Sequence, residues 1–280
     1  MKMINEVVNL NPKLQRVQQV LRQSGLLTIT EKLRYWLSVV RYNQSNKTFI
    51  SKHPDFKVPP QALAYDAYSA PDWEYYMASG LSTAKALFDI AEKNLDVMPA
   101  KVLEWGCGPA RVVRHMPAVF GPGTEVYGSD YNSDSIGWCA SNVPDVKFVK
   151  NELNPPFSFD SECFDLVYSI SVFTHLSEAV SYEWIDELIR VVRLGGILII
   201  STNGDSRLGV MLPEEVDAYN ATGIVIRDKF EEGKKMFWAC HSPDYLRMKL
   251  FKDLEVLDHK PAGFPHTGQD MWVLRKPKLV

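Results

Sequence analysis

A glycine-rich segment preceded by an acidic residue is the first place in this sequence where side chains could do chemistry. The segment reads KVLEWGCGPARVV, with Glu104 in front of Gly106 and Gly108. Glycine-rich turns between a strand and a helix commonly bind phosphates, but the dinucleotide fingerprint needs a third glycine where this chain has Arg111. A buried carboxylate at the strand end would repel a diphosphate and attract an ammonium group. Glu104 therefore favours a cationic or zwitterionic ligand over a dinucleotide.

A second acidic residue, Asp130, ends the next predicted strand in the segment GSDYN. It follows the glycine loop by about 20 residues, a distance at which an acid accepts hydrogen bonds from both hydroxyls of a ribose. The two acids together predict a nucleoside ligand without a diphosphate. The alternative for Asp130, a plain turn or cap aspartate, stays open from the sequence.

Two histidines are candidates for a general base, which an oxygen nucleophile needs near neutral pH. His175 lies just beyond the fourth predicted strand, in VFTHLS, and His241 lies in FWACHSPDYL. For each, the alternative is a histidine that packs or sits in a loop next to a helix cap. No carboxylates or histidines show the clustered spacing of a metal site, so no metal is predicted.

Five further residues have ambiguous patterns. Arg111 could bind a carboxylate of the cofactor or the substrate, or lie on an exposed helix face. A stretch dense in aromatic residues could form a lid over the ligand through Trp73, Tyr75, Tyr76 and Gly80. The alternative is aromatic packing that ties N-terminal helices to the rest of the chain.

The elements that must position these residues form an alternating strand and helix pattern from residue 82 onward. Strands are predicted at 101–105, 125–129, 147–150, 164–169 and 197–202, and the clearest helix at 178–193. Several strands are almost entirely apolar, as in parallel sheets covered on both faces. The last two predicted strands, LEVLDHK and DMWVLRK, are separated by too few residues for a crossover helix, so they should pair antiparallel. The fold class is therefore α/β.

Two other regions flank or interrupt this pattern. Residues 1–81 are predicted to be an N-terminal helical or lid region, and residues 82–280 the main domain. One helix is predicted from Asn11 to Gly25, and Thr30 is predicted to cap a second helix with an apolar stripe. Residues 203–241 follow the last parallel strand, at the edge where α/β sheets bind ligands, and are predicted to cover the substrate.

The composition excludes several classes of protein. The net charge is -3 over 280 residues, with both signs interspersed, which argues against a nucleic-acid partner. Apolar runs are too short to span a bilayer, and the start of the sequence lacks a secretory signal pattern. The 4 cysteines have no paired spacing. We expect a cytoplasmic protein with no membrane partner.

The motifs VLEWGCGPAR, GSDYN, NELNPPF, FDLVYSISVFTHL and LIRVVRLGGILIIST occur in that order. As a set they resemble the successive motifs of class I S-adenosylmethionine-dependent methyltransferases. The resemblance implies a Rossmann-like seven-stranded, mostly parallel sheet with an antiparallel last strand and helices on both faces. It also implies S-adenosylmethionine as the methyl donor and S-adenosylhomocysteine as the product.

The resemblance also implies roles for individual residues. The family's acid-x-Gly-x-Gly loop, which holds the methionyl part of the cofactor, falls on the first segment above. Many members carry a glycine where this chain has Ala110, and related enzymes have a tyrosine and a glycine at the distance of Tyr76 and Gly80. The implied cofactor-binding positions are Glu104, Gly106, Cys107, Gly108, Asp130, Tyr131, Asn151, Glu152, Ser169, Ile170 and Ser171.

The function that the sequence favours is methyl transfer to a small or medium-sized molecule, with a hydroxyl of a sugar or secondary metabolite as the first choice. A non-catalytic S-adenosylmethionine-binding scaffold or regulatory protein is the alternative. A nicotinamide dehydrogenase is disfavoured by Glu104 and by the missing third glycine. The N-terminal helices could provide a homodimer surface.

Overall fold

A seven-stranded sheet forms the centre of the computed structural model, which describes residues 27–278. Its strand order is β3-β2-β1-β4-β5-β9-β8. The strands are β1 (Lys101–Trp105), β2 (Glu125–Asp130), β3 (Lys147–Lys150), β4 (Phe164–Ser169), β5 (Val192–Thr202), β8 (Glu255–Lys260) and β9 (Asp270–Arg275). Strands β1 to β5 pair parallel, whereas β9 lies between β5 and β8 and is antiparallel to both. The predicted Rossmann-like topology is confirmed.

Alternate residues of the central strands face opposite sides of the sheet, and both sides are buried. In β5, Ile197 and Ile199 belong to one apolar cluster, whereas Leu198 and Ile200 belong to the other. This two-sided burial explains why the strands are almost entirely apolar in sequence. It also fixes the register, since a shift of one residue would exchange the two faces.

Helices cover both faces of the sheet and precede it at the N-terminus. The principal ones are α1 (Leu27–Lys52), α2 (Gln61–Tyr68), α3 (Trp73–Asn94), α4 (Met116–Phe120), α5 (Ser133–Asn142), α6 (Glu178–Val191), α7 (Pro213–Thr222) and α8 (Pro243–Tyr245). Helix α8 continues as a π-helical turn over Leu246–Leu250. None of the helices in the described range is long and apolar enough to cross a membrane.

The N-terminal helices differ from the sequence expectation at two points. Helix α1 runs through Thr30, which therefore does not cap it, and the predicted helix from Asn11 to Gly25 lies outside the described residues. The aromatic-rich stretch, which matched no regular element in sequence, is helical. Helix α3 begins at Trp73 because the Asp72 side chain accepts a 3.2 Å hydrogen bond from the Tyr75 amide.

The predicted apolar stripe of α1 is not covered within residues 27–278. Its members are 59–72% exposed: Leu33, Trp36, Leu37 and Val40. Helix α3 runs without a break through residue 82, so the N-terminal region and the sheet domain share one helix. The division into 1–81 and 82–280 stays a prediction.

Residues 203–241 form a compact insertion after β5. A 3-10 turn (Asp205–Val210) leads into α7 and then into an antiparallel pair of strands, β6 (Ile224–Arg227) and β7 (Trp238–His241). The insertion has its own small apolar cluster, formed by Met211, Tyr219, Val225 and Cys240. This position, beside the carboxyl end of β5, is where the sequence predicted a cap.

Candidate functional site

A cavity of about 600 Å³ opens at the carboxyl ends of the parallel strands. The glycine loop, the ends of β2 and β4, helix α2 and the insertion all contribute to its wall. Ligands bind at this edge of open α/β sheets, and the volume lies within the usual range of about 300–1,000 Å³ for small-molecule sites.

The glycine loop between β1 and the first helical turn needs glycine for its backbone. Gly106 and Gly108 have φ of +76° and +50°, in the left-handed region. A Cβ atom on Gly106 would overlap the Val172 side chain. Ala110 keeps a φ of +60°, at a cost on the order of 1–2 kcal/mol for a residue with a Cβ.

Glu104 is the penultimate residue of β1, just before this loop, and is almost completely buried, with 3% of its surface exposed. Its carboxyl accepts a 2.9 Å hydrogen bond from the Tyr168 hydroxyl. Burial raises the pKa of Glu104 to about 8, although the Tyr168 bond and the charge of Arg111 oppose that rise. Without a cationic ligand the carboxyl is therefore mostly protonated at neutral pH, and an ammonium group would favour its ionised form.

Asp130 ends β2 and lines the same cavity. Its two carboxylate oxygens accept 2.8 Å hydrogen bonds from the amides of Gly108 and Asn132. Asn132, rather than Asp130, caps α5, as its side chain accepts bonds from the next two amides of the turn, at Asp134 and Ser135. Asp130 thus connects the glycine loop to the following turn and keeps lone pairs for a ligand.

The wall beyond Asp130 contains the three predicted adenine-side residues. The Tyr131 hydroxyl donates to the Gly233 carbonyl at 3.0 Å, and Lys234 lies over the Tyr131 ring at 5.1 Å. Asn151 accepts a 2.6 Å bond from Ser129 and donates one of the same length to the Glu152 carbonyl. Its amide orientation is therefore set by protein partners.

The three predicted residues at the end of β4 and just beyond it do not all face the cavity. Ile170 and Ser171 line the cavity, whereas the Ser169 side chain is buried and its hydroxyl has no partner among the described residues. The Ser171 amide donates to the Ser201 hydroxyl at 2.7 Å, which holds Ser171 at a φ of +62°. Two of the three predicted positions therefore face the open space.

His175 lies on the cavity wall, where it could accept a proton. Its Nδ1 is 2.7 Å from the Phe237 carbonyl oxygen, and burial lowers the pKa of the ring. Because a carbonyl can only accept, we assign the proton to Nδ1, which leaves the lone pair on Nε2. The ring is thus neutral, and its Nε2 atom could accept a proton.

His241 does not reach the cavity, which corrects its prediction as a catalytic residue. It is 1% exposed, and neither ring nitrogen has a hydrogen-bond partner within residues 27–278. Burial lowers its pKa to about 4, so the ring is neutral. Its ring centre lies 5.7 Å from that of Tyr245, and it is a buried residue at the end of β7.

Of the predicted lid residues, Tyr75 lines the cavity, whereas Tyr76 and Gly80 do not, which corrects the prediction for these two. The Tyr76 hydroxyl donates to the Pro109 carbonyl at 2.5 Å, behind the glycine loop. Gly80 lies so close to the backbone of Arg111 that a Cβ atom would overlap its carbonyl. The aromatic residues that do reach the cavity from α2 and α3 are Tyr68 and Tyr75.

Arg111 is buried yet lines the cavity, with 7% of its surface exposed. Its Nη1 donates to the Ser79 hydroxyl at 3.1 Å, and its guanidinium lies 5.2 Å from the centre of the Tyr68 ring. Among the described residues no carboxylate lies within 4.0 Å of it. The alternative of an exposed helix face is therefore wrong.

Several wall residues were not predicted from the sequence. Arg207 and Lys235 come from the insertion, and Thr267 and Gln269 come from the turn before β9. The prediction that residues 203–241 cover a substrate included Arg207 and Lys235 as part of that segment but did not single out either residue. Within residues 27–278 no group of three or more acidic, histidine or cysteine side chains could hold a metal ion.

Comparison with known proteins agrees with this fold. Residues 102–196 match the family model described as a methyltransferase domain. The PH0226 protein from Pyrococcus horikoshii OT3 is 16% identical, with 72% of this chain and 95% of that chain covered and a TM-score of 0.51. A Burkholderia thailandensis 1,6-didemethyltoxoflavin-N1-methyltransferase with bound S-adenosylhomocysteine is 15% identical, with coverages of 74% and 81% and a TM-score of 0.51.

A S-adenosylmethionine-dependent methyltransferase from Methanosarcina mazei is similar to the same degree. It is 17% identical, with 68% of this chain and 98% of that chain covered and a TM-score of 0.50. At this level of identity these structures share the fold. The domain match identifies residues 102–196 as a methyltransferase domain. The cofactor that the sequence motifs imply for such a domain is S-adenosylmethionine.

The donor set around the cavity fits this cofactor. A buried carboxyl at Glu104 and a buried guanidinium at Arg111 match the ammonium and carboxylate of an amino acid. The remaining acceptors of Asp130 match ribose hydroxyls. These groups have opposite charges on one wall, as a zwitterion requires.

Proposed function

We propose that this methyltransferase acts on a hydroxyl group of a small or medium-sized molecule, such as a sugar or a secondary metabolite. The observation that carries the proposal is His175, a neutral imidazole on the cavity wall whose Nδ1 is held by the Phe237 carbonyl at 2.7 Å. Its Nε2 has no partner among the described residues and is available to accept the hydroxyl proton.

We further propose that the cofactor lies along the glycine loop. Bound there, S-adenosylmethionine supplies a methyl group on a positively charged sulfur. Glu104 binds the ammonium, Arg111 the carboxylate and Asp130 the ribose hydroxyls. The residues proposed to complete the cofactor site are Gly106, Cys107, Gly108, Tyr131, Asn151, Glu152, Ile170 and Ser171.

The protein's contribution to the rate is then alignment and exclusion of water. The insertion, residues 203–241, contributes Arg207, Lys235 and Trp238 to the cavity wall. A cavity covered from that side holds the acceptor in line with the methyl group and limits the access of water.

The test is incubation of the purified protein with methyl-labelled S-adenosylmethionine and a metabolite extract. Transfer of label to a compound that loses a free hydroxyl supports the proposal. Transfer to nitrogen would replace the hydroxyl by a nitrogen atom as the acceptor. One structurally similar protein is by its name an N1-methyltransferase. Cofactor binding without any transfer would favour the alternative, a scaffold or regulatory protein.

A homodimer through the N-terminal helices is also proposed. Helix α1 exposes Leu33, Trp36, Leu37 and Val40 along one face within the described range. Light scattering on the full chain and on Trp36→Glu tests it. A monomeric mass for the unmodified chain would contradict it.

A further inference from the structure

Arg207 is a cation on the cavity wall that the proposed cofactor site does not use. It lies in the 3-10 turn after β5. Its Nε donates to the Asn203 side-chain oxygen at 3.1 Å, and its Nη2 donates to the Thr267 carbonyl at 2.9 Å. No carboxylate within residues 27–278 pairs with it, and its Nη1 has no partner there. The guanidinium is thus held on one side and free on the other.

Asn203 makes this orientation rigid. It is 3% exposed, and its amide nitrogen donates to the Ala239 carbonyl at 2.9 Å. The amide oxygen must therefore face Arg207. Both acceptors that hold the guanidinium are neutral, so among residues 27–278 its positive charge has no ion-pair partner.

Gln269 supplies a second unpaired donor on the same wall. It is 7% exposed, and its side-chain oxygen accepts bonds from the hydroxyls of Ser201 (2.7 Å) and Ser171 (3.0 Å). The Ser201 oxygen already accepts the Ser171 amide, so its hydroxyl hydrogen is donated to Gln269. This network fixes the amide orientation and leaves the Gln269 NH₂ group without a protein partner in the described range.

Both donors are held by one turn. Arg207 bonds to the Thr267 carbonyl, and the Gln269 amide donates to the Thr267 hydroxyl at 3.0 Å. An ideal Cβ placed on Gly268 would lie 3.7 Å from the Arg207 guanidinium. The two donors therefore come from adjoining parts of the wall, next to Ser171 at the end of β4.

The other cations near the cavity have partners or another proposed role. Lys235 pairs with Glu31 at 3.5 Å and lies over the Tyr65 ring. Arg111 lies beside Glu104 on the glycine-loop side. One free guanidinium beside one neutral amide is suited to a group with a single negative charge.

We propose that the methyl acceptor carries a carboxylate, which Arg207 and Gln269 bind at the wall of the insertion. The inference rests on the proposed function, because it assigns these residues to the acceptor. A guanidinium and an amide match the planar, paired oxygens of a carboxylate. An acceptor without the anion would leave the buried Gln269 amide and the half-buried Arg207 guanidinium without an acceptor, so the site discriminates against neutral analogues.

Binding tests this separately from catalysis. The protein saturated with S-adenosylhomocysteine is titrated calorimetrically with para-hydroxybenzoate, its methyl ester and para-hydroxyphenyl phosphate. A second set uses glucuronate, glucose and glucose phosphate. We expect at least one carboxylate to bind about tenfold more tightly than its neutral counterpart. Equal binding of every acid and its neutral counterpart would overturn the proposal, and tighter binding of the phosphates would overturn the choice of carboxylate.

Variants identify the residues. Arg207→Gln should remove the preference for the acid, and Gln269→Glu should weaken acid binding by repulsion, while Arg34→Gln on the surface serves as the control. Arg207→Lys keeps the positive charge and should retain part of the preference for the acid. It therefore distinguishes loss of the charge from a folding defect. Affinity for S-adenosylhomocysteine should stay unchanged in all of them.

Two outcomes separate this inference from the proposed function. Weaker binding of S-adenosylhomocysteine to Arg207→Gln, with acid binding unaltered, would assign the guanidinium to the cofactor and overturn the inference. An acid preference that depends on Arg207, in a protein that transfers no label to any acceptor, would support a carboxylate-binding site at Arg207 and Gln269 but reject its ligand as a methyl acceptor.

Discussion

The hydroxyl of Tyr168 donates a 2.9 Å hydrogen bond to the carboxyl of Glu104, and both side chains are buried on adjacent parallel strands. This bond gives the carboxyl a partner but does not offset its burial, and the pKa of Glu104 stays at about 8. Arg111, Asp130 and the Val113 amide are the other groups that act on it. The cofactor ammonium would complete this set.

Cofactor binding should therefore release a proton from Glu104. The free carboxyl is mostly protonated below pH 8, and the ammonium favours its ionised form, so affinity for S-adenosylhomocysteine should rise with pH up to about 8. The rise should approach about tenfold per pH unit and then level off. Calorimetry in buffers of different ionisation enthalpy measures the released proton.

The matched variants for Glu104 are Glu104→Gln and Tyr168→Phe. The first should bind weakly and lose the pH dependence, because it has no proton to release. The second removes a bond that lowers the pKa of Glu104, so the rise of its cofactor affinity with pH should extend to higher pH. A pH-independent affinity in the unmodified protein would contradict this role.

Asp130→Ala should weaken cofactor binding by one to two orders of magnitude, at roughly 1.4 kcal/mol per tenfold. The loss combines the ribose contacts with the support of the Gly108 amide. Asp134→Ala, exposed in the first turn of α5, is the control. Unaltered affinity in the Asp130 variant, measured by calorimetry, would refute the ribose assignment.

His175→Gln should lower kcat while leaving the affinity for S-adenosylhomocysteine close to normal, because glutamine cannot take the hydroxyl proton. In the unmodified enzyme the rate should decline only at acidic pH, since burial lowers the pKa of His175. The variant should lack this decline. His53→Gln, outside the cavity, is the control. Full activity of His175→Gln at every pH tested would show that His175 is not the general base.

His241 should make the protein sensitive to acid. Its folded pKa of about 4 lies below the value of 6.5 for a free histidine, so its contribution to stability is complete above pH 6.5 and is lost as the pH falls towards 4. The shift corresponds to about 3 kcal/mol. His115 has a similarly lowered pKa and contributes to the same range.

Denaturant unfolding between pH 4 and 7 measures this dependence. His241→Leu should flatten the pH profile of the unfolding free energy, relative to the unmodified chain and to His53→Leu. The comparison is valid even if leucine alters stability at neutral pH, because only the slope is read. An unchanged slope would show that His241 does not account for the acid sensitivity.

The local parts of the site were predictable from the sequence. Glu104 and Asp130 lie at the carboxyl ends of two parallel strands, so their place at that edge of the sheet follows from the strand pattern alone. The alternation of apolar strands with helices likewise specified the sheet. The short connection before β9 specified its antiparallel direction.

Outside the seven-stranded sheet, the sequence did not predict which side chains face the cavity. His175 and His241 both follow apolar segments, yet one lines the cavity and the other lies in the core. Tyr75 and Tyr76 are neighbours on α3, but only Tyr75 reaches the cavity. Each step along a helix rotates the side chain by about 100°, so packing against the glycine loop decides which residue faces the ligand.

The sequence by itself determined the sheet, the glycine loop and the two acids, because these depend on neighbouring residues and on strand ends. Tertiary structure alone brought Arg207 beside Gln269 and held Asn203 against Ala239, across long separations in the chain. Contacts of that kind depend on how the insertion folds back over the sheet edge. Local periodicity contains no information about that path.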